Sequence, residues 1–386
     1  MREVELSQIA DLTGGSTPKT KVEEYWNGDI VWLSPTDLPE IGEIAYINDS
    51  SRKITEEGLN SCSAKLLPPG SVIFSSRASI GKIGINEIPL ATNQGFINFI
   101  CNGKVFNRYL AYVLKYYTED IVQLSNSTTF KEVSKRAIKD FKIPLPSLSE
   151  QKAIVAKLDR AQRLIEIDKK MLVKYDELIQ SVFLEMFGEG DGEKVPLSSL
   201  FKLNPRKSEI SDIDKTMEAS FLGMANVGEN GSLNLSETKT VEESWKGYTY
   251  FKEGDVLFAK ITPCMENGKG AIATGLKNEL GFGSTEFHVL RPIEGVSRAA
   301  WIYHLTHSDK FRVIAKSFMT GSAGQKRVPT HFFDRFKVAK PTIEKQIRFE
   351  EIAKEISNDK RRLRSQINKS EELFSSLVQE AFSNDL

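Results

Sequence analysis

Apolar positions recur with a single rhythm along residues 154–186. Ile154, Leu158, Ala161, Ile165, Asp168, Leu172, Tyr175, Ile179, Val182 and Met186 follow one another in steps of four and three. That is the heptad seam of a helix that packs on another helix. A shift of 195 positions gives a second stripe: Phe349, Ala353, Ile356, Lys360, Leu363, Ile367, Ser370, Phe374, Leu377 and Ala381. Each seam is interrupted by a charged residue, Asp168 in the first and Lys360 in the second. Both stretches open with helix-start signals. Pro144 and Pro146 lead to Ser147, three residues ahead of Glu150 as in a capping box, and Pro341 with Thr342 precedes the second. The first stretch stops before the Gly- and acid-rich run GEGDGE at 188–193.

The duplication continues upstream of each stripe. VELSQI (4–9) parallels VPLSSL (195–200), and PPGSVIFSS (68–76) parallels KEGDVLFAK (252–260). GKIGI (81–85) faces GKGAI (268–272), and FKEVSKRAIKDFKIPLP (130–146) faces QKRVPTHFFDRFKVAKP (325–341). Short alternating runs separated by turn residues predict a mixed α/β globule in each half. The chain therefore reads as a globule over 1–142, a helix over 143–188, a linker over 189–193, a second globule over 194–338 and a second helix over 339–386. The expected fold class is α+β: two α/β globules separated by two long antiparallel coiled-coil helices, with an internal pseudo-twofold repeat. A further apolar line, Leu164, Met171 and Leu178, runs beside the first seam. One partner helix cannot cover both lines, so either a globule or a separate protein is expected to pack there.

Composition narrows the class only a little. Basic and acidic residues balance at 52 each, so any nucleic-acid binding must rest on local charge rather than a global field. Residues 192–337 hold 20 basic and 17 acidic residues, against 15 and 17 in residues 1–140. Cys62, Cys101 and Cys264 lie far apart without a CxxC pair, which suits a reducing cytoplasm rather than a structural zinc site. No apolar run approaches the ~20 residues of a membrane span, and the first residues lack a signal-peptide core.

Catalytic motifs are missing where an enzyme would need them. An amino-methyltransferase calls for Asn or Asp before Pro-Pro-aromatic, whereas Asn204-Pro205-Arg206-Lys207 lacks the second proline and the ring. Gly268–Ala273 fits GxGxxA, but its place in a strand–turn repeat favours an ordinary turn. His304 and His307 could share a helix face, yet no third metal ligand accompanies them. No nucleophile motif supports Ser-His-Asp chemistry. A two-headed architecture instead suits the reading of two sites on duplex DNA, whose backbone has its own local dyad. Unequal globules imply unequal half-sites.

At this point the chain resembles a known family, the DNA-specificity subunits of type I restriction-modification systems. The resemblance rests on IPLPSLSEQKAIVAKLD from Ile143, on TGGSTPKTKVEEYWNGDIVWLSPTDL (13–38), on SSRASIGKIGI (75–85) and on the duplication itself. It implies that each globule is a target-recognition domain for one half of a split DNA target. It implies a chain without catalysis or cofactor of its own, whose helices act as a spacer and dock two methyltransferase subunits, later joined by motor-nuclease subunits. S-adenosylmethionine, ATP and magnesium would then belong to those partners. A coiled-coil scaffold with two protein-binding heads, without DNA specificity, is the alternative.

Within that framework Lys82 and Lys269, in matching Gly-Lys turns, are candidate phosphate contacts, with Arg77 and Lys260 close by. Base reading is expected where the globules differ: SPTD (34–37) against MANV (224–227), TNQG (92–95) near STEF (284–287), and NSTTFK (126–131) near TGSAGQKR (320–327). Asn93, Gln94, Asn226, Gln325 and Arg327 are the candidate readers, because their side chains can make bidentate major-groove bonds.

Overall fold

The computed structural model describes residues 2–125, 132–188, 192–322 and 324–383. The variable stretch 126–131 and linker residues 189–191 lie outside the described residues.

Each stripe folds as one continuous helix, Leu148–Phe187 and Ile343–Phe382, both 40 residues long. The first starts at Leu148 rather than at 143 because Lys142–Pro144 is a strand paired antiparallel with Glu3–Glu5. Ser147 and Glu150 form the capping box: Glu150 Oε2 accepts the Ser147 N–H at 2.8 Å and the Ser147 hydroxyl at 2.7 Å. The second globule repeats the device, with Lys194–Pro196 paired to Lys337–Ala339 ahead of its helix. Leu158, Ile165, Ile179, Phe349, Ile356, Ile367 and Phe374 are buried, while Ile154, Leu172, Leu363 and Leu377 are half-buried. Each buried aliphatic side chain stabilises its unit by about 1.5–3 kcal/mol.

The chain forms two compact units, Met1–Asp168 with Gln366–Leu386, and Lys169–Ser365. Both helices are thus cut near their middles, because each globule's core reaches onto the helical segments beside it. In the second unit Ile179, Phe183, Phe349 and Ile356 join one core with Trp301 and Phe332. In the first, Tyr109 and Tyr112 pack against Phe382 and Phe374. Gln366 donates to Asp168 at 3.0 Å in the first unit, and Lys360 pairs with Asp176 in the second. Within the second unit Asp176 meets Lys360 and Phe183 meets Phe349, rising numbers against falling ones, so the two helical segments there run antiparallel.

The first unit holds a sheet ordered Ala10–Gly14, Phe96–Cys101, Val72–Ser75, Ile83–Asn86 and Ile44–Ile47. The second unit repeats the first four as Phe201–Leu203, Phe287–Pro292, Val256–Ala259 and Gly270–Ile272. A smaller sheet recurs as well. Trp26–Leu33 lies parallel to Leu90–Thr92 and antiparallel to Lys53–Ile54, as Glu218–Leu222 lies with Leu280–Gly283 and Thr238–Thr240. Among the described residues no helix is long and apolar enough to cross a membrane.

Candidate nucleic-acid interface

The strand ends of the larger sheet bring the unequal loops together, and the same backbone bonds join them in both units. In the first unit Ser76 donates its N–H to the Gly95 carbonyl at 2.8 Å and accepts from Val133 at 2.8 Å, while Arg77 bridges Glu132. In the second, Lys260 donates to Glu286 at 2.9 Å and accepts from Val328 at 2.9 Å, while Ile261 bridges Arg327. The backbone frame is therefore shared, whereas the side chains on it differ. Ser76, Gly95 and Glu132 in one globule stand where Lys260, Glu286 and Arg327 stand in the other.

The two Gly-Lys turns also match. Gly81 and Gly268 adopt φ of 102° and 78°, a left-handed conformation that glycine enters without steric cost. The lysines that follow are turned inward toward a fourth loop. Lys82 is buried, with its ammonium 3.4 Å from the Leu38 carbonyl and 3.5 Å from Glu40. Lys269 is half-buried and donates to the Met224 carbonyl at 3.2 Å. Both ammonium groups therefore hold the segment that carries SPTD or MANV, and a phosphate would have to compete with those carbonyls. Arg77 and Lys260 are half-buried beside them.

The candidate base readers divide into bound and open side chains. Asn93 Oδ1 accepts the Gly95 N–H at 2.8 Å, so this side chain builds its own turn. Gln94 is exposed and meets the Thr17 hydroxyl. Asn226 closes a short 3-10 turn and reaches the Asn234 carbonyl at 3.5 Å. Gln325 is exposed. Arg327 lays its guanidinium on Glu286, with Nε 2.9 Å and Nη2 2.7 Å from the carboxylate. That fork holds Glu286 below the usual carboxylate range. Burial pulls the Lys260 ammonium down, against the pull of Glu286.

Two further sets of residues escaped the sequence reading. Glu286 lies within STEF, and its only signal was an acid in a variable loop facing a basic one. Gln151 and Gln346 are fully buried and stand 195 positions apart. The identity of a polar residue at that offset was the available clue.

The residues set aside as non-catalytic have structural partners. Asn204 Oδ1 accepts the Val289 N–H at 2.9 Å, and its amide donates to His288 Nδ1 at 3.2 Å. His304 packs between Phe183 and Phe349, and His307 Nε2 donates to the Glu229 carbonyl at 2.7 Å. Among the described residues no group of three His, Cys, Asp or Glu side chains could hold a metal ion.

Two globules are thus built on one backbone frame, and each presents joined loops of unlike chemistry. Residues 1–174 match the family model of the type I restriction modification DNA specificity domain. Over 184 residues the chain is 40% identical to the type I restriction enzyme MjaIX specificity subunit of Methanocaldococcus jannaschii, covering 47% of this chain and 41% of that one. Over 158 residues it is 40% identical to the EcoAI specificity subunit of Escherichia coli, covering 40% of this chain and 26% of that one. The matched stretch thus spans less than half of either relative. In fold the likeness extends along the whole chain. A chain from work on complex assembly and conformational transition of the type I R-M system superposes with a TM-score of 0.63 at 17% identity, over 100% of this chain and 98% of that one. The Type-I restriction-modification system S subunit from M. genitalium gives 0.52 at 13% identity, over 100% and 96%. At those identities the likeness is one of fold. The chain is similar to the DNA-specificity subunits of type I restriction-modification systems, a likeness of sequence over its first half and of fold over its length.

Proposed function

We propose that this chain is the non-catalytic DNA-recognition subunit of a type I restriction-modification complex of the cytoplasm. Each globule reads one half of a split, asymmetric target in the major groove, and the helices set the spacer between the halves. The observation that carries this reading is the shared loop frame: the same backbone bonds join the loops of both globules, while the side chains presented are Ser76, Gly95 and Glu132 in one and Lys260, Glu286 and Arg327 in the other. A common scaffold with unlike tips is what two different half-sites require.

In this reading two methyltransferase subunits dock on the helices, motor-nuclease subunits join them, and S-adenosylmethionine, ATP and magnesium serve those partners. Support comes from the apolar line beside the first seam. Leu164, Met171 and Leu178 are 55%, 46% and 46% exposed, so the globules leave that line uncovered. With no net charge, the chain alone should hold duplex DNA weakly and tighten when partner subunits add phosphate contacts.

The test is selection from a randomised duplex library by the chain mixed with its methyltransferase subunits, followed by gel shift on the selected sequences. A two-part motif with a fixed spacer is expected. Binding without sequence preference would favour the scaffold alternative and overturn the proposal.

A further inference from the structure

The loop frame of the second globule carries an arginine, Arg327, where the frame of the first carries Glu132. Arg327 sits where two strand-like segments zip together, its N–H donating to the Thr320 carbonyl at 2.8 Å and its carbonyl accepting from Thr320 at 3.0 Å. Its side chain remains 41% exposed. The guanidinium nevertheless has a fixed orientation. Nε and Nη2 bind Glu286, and Nη1 donates to the Gln325 carbonyl at 3.1 Å.

A count of donors shows what that orientation leaves open. A guanidinium carries five N–H groups. One on Nε and one on Nη2 face Glu286, and one on Nη1 faces Gln325. One N–H remains on each terminal nitrogen, and the two lie side by side when Nη1 gives Gln325 its hydrogen on the Cδ side. Two parallel donors are what the O6 and N7 acceptors of guanine take up in the major groove. Because Glu286 has already fixed the fork, little side-chain freedom remains to be lost on binding. Lys260 adds a second cation within electrostatic reach of the pair, so the three side chains together carry a net positive charge. At the corresponding frame positions of the first globule, Ser76, Gly95 and Glu132 offer no such fork.

We propose that Arg327 reads a guanine in the half-site of the second globule, and that Glu286 is the positioning residue that aims it. The proposal rests on the DNA-recognition reading above. Glu286 acts through Arg327, so its loss blurs one base position without removing the bond-forming group.

The experiment uses the full chain assembled with its methyltransferase subunits and a randomised duplex library. Wild type, Arg327→Lys and Glu286→Gln are compared, with thermal melting and the selected first half-site as internal controls. Arg327→Lys should lose preference for guanine at one position of the second half-site by about ten-fold or more. Glu286→Gln should lose part of the same preference at the same position. The first half-site and the melting temperature should stay as in wild type. Should both variants keep every base preference, the inference fails while the recognition reading stands. Uniform weakening on all sequences would make Arg327 a phosphate contact and overturn the inference equally. Altered preference in both half-sites together with a lowered melting temperature would assign the pair a structural role, again against the inference. A wild-type complex that selects no sequence would overturn the recognition reading itself, and this inference with it.

Discussion

The side-chain carbonyl of Gln151 accepts the backbone N–H of Phe106 at 2.8 Å, while its amide donates to the carbonyls of Lys104 and Pro146. Gln346 repeats the arrangement in the second unit, accepting from Arg298 at 2.9 Å and donating to Val296 and Pro341. Each glutamine thus ties the first turn of its long helix to the start of a globule helix, Asn107–Tyr116 or Ala299–His307. Both are fully buried, so truncation leaves backbone groups without partners in a dry site. Gln151→Ala and Gln346→Ala should each cost about 1–3 kcal/mol. Hydrogen exchange read unit by unit should show Gln151→Ala loosening the first unit and Gln346→Ala the second. Equal loosening of both units by either variant would contradict this local role.

A second prediction concerns the acid Asp255, buried at the start of strand Val256–Ala259. Arg291 meets it with two bonds of 2.7 Å, and Asp255 Oδ2 also accepts the Lys252 N–H at 2.8 Å. Removing only the cation strands a carboxylate away from water, which costs far more than the pair is worth in place. Arg291→Ala should therefore destabilise the second unit by about 3–5 kcal/mol in urea unfolding. Arg291→Lys should recover part of the loss, because an ammonium supplies charge without the paired geometry. An alanine variant within about 0.5 kcal/mol of wild type, the range of ordinary surface changes, would show that the carboxylate finds other partners.

The helices were legible because a heptad seam is a local pattern: Leu158, Ile165, Ile356 and Ile367 sit at fixed steps and are buried where the steps place them. The capping box at Ser147 and Glu150 is local in the same way. The loop chemistry was not legible, because it depends on contacts between distant residues. Lys82, in its Gly-Lys turn, reads as a candidate phosphate contact, yet the carbonyl it faces belongs to Leu38, 44 positions away. Arg327 and Glu286 are separated by 41 positions and meet only because strand order brings their loops together. The division into units was hidden for a similar reason. Heptads show where a helix runs but not which globule its outer side chains enter, as Phe183 and Phe382 do.

The last prediction follows from the placing of histidines. The chain has four, His288, His304, His307 and His331, and all lie in the second unit. His288 is buried, donating from Nε2 to the Val328 carbonyl at 2.8 Å and accepting at Nδ1 from Asn204. That is the neutral ring, and burial pushes its pKa down to about 4 even though the Val328 carbonyl favours the charged form. Enclosure among aromatic rings, with His307 and Lys360 nearby, pushes His304 down to about 3. In the unfolded chain these rings titrate near their ordinary value of about 6.5. Between about 4 and 6.5 the unfolded state therefore binds more protons than the folded one, and stability rises with pH across that window. It is fully present above pH 6.5 and is lost as pH falls. At pH 5 the share from His288 alone is about 2 kcal/mol. Hydrogen exchange at pH 7 and pH 5, corrected for intrinsic rates, should show the second unit loosening while the histidine-free first unit holds. His288→Gln, which keeps an N–H donor near Val328, should flatten the second unit's response by about that amount. If the first unit loosens equally, or if His288→Gln leaves the slope unchanged, these histidines do not set the acid limit.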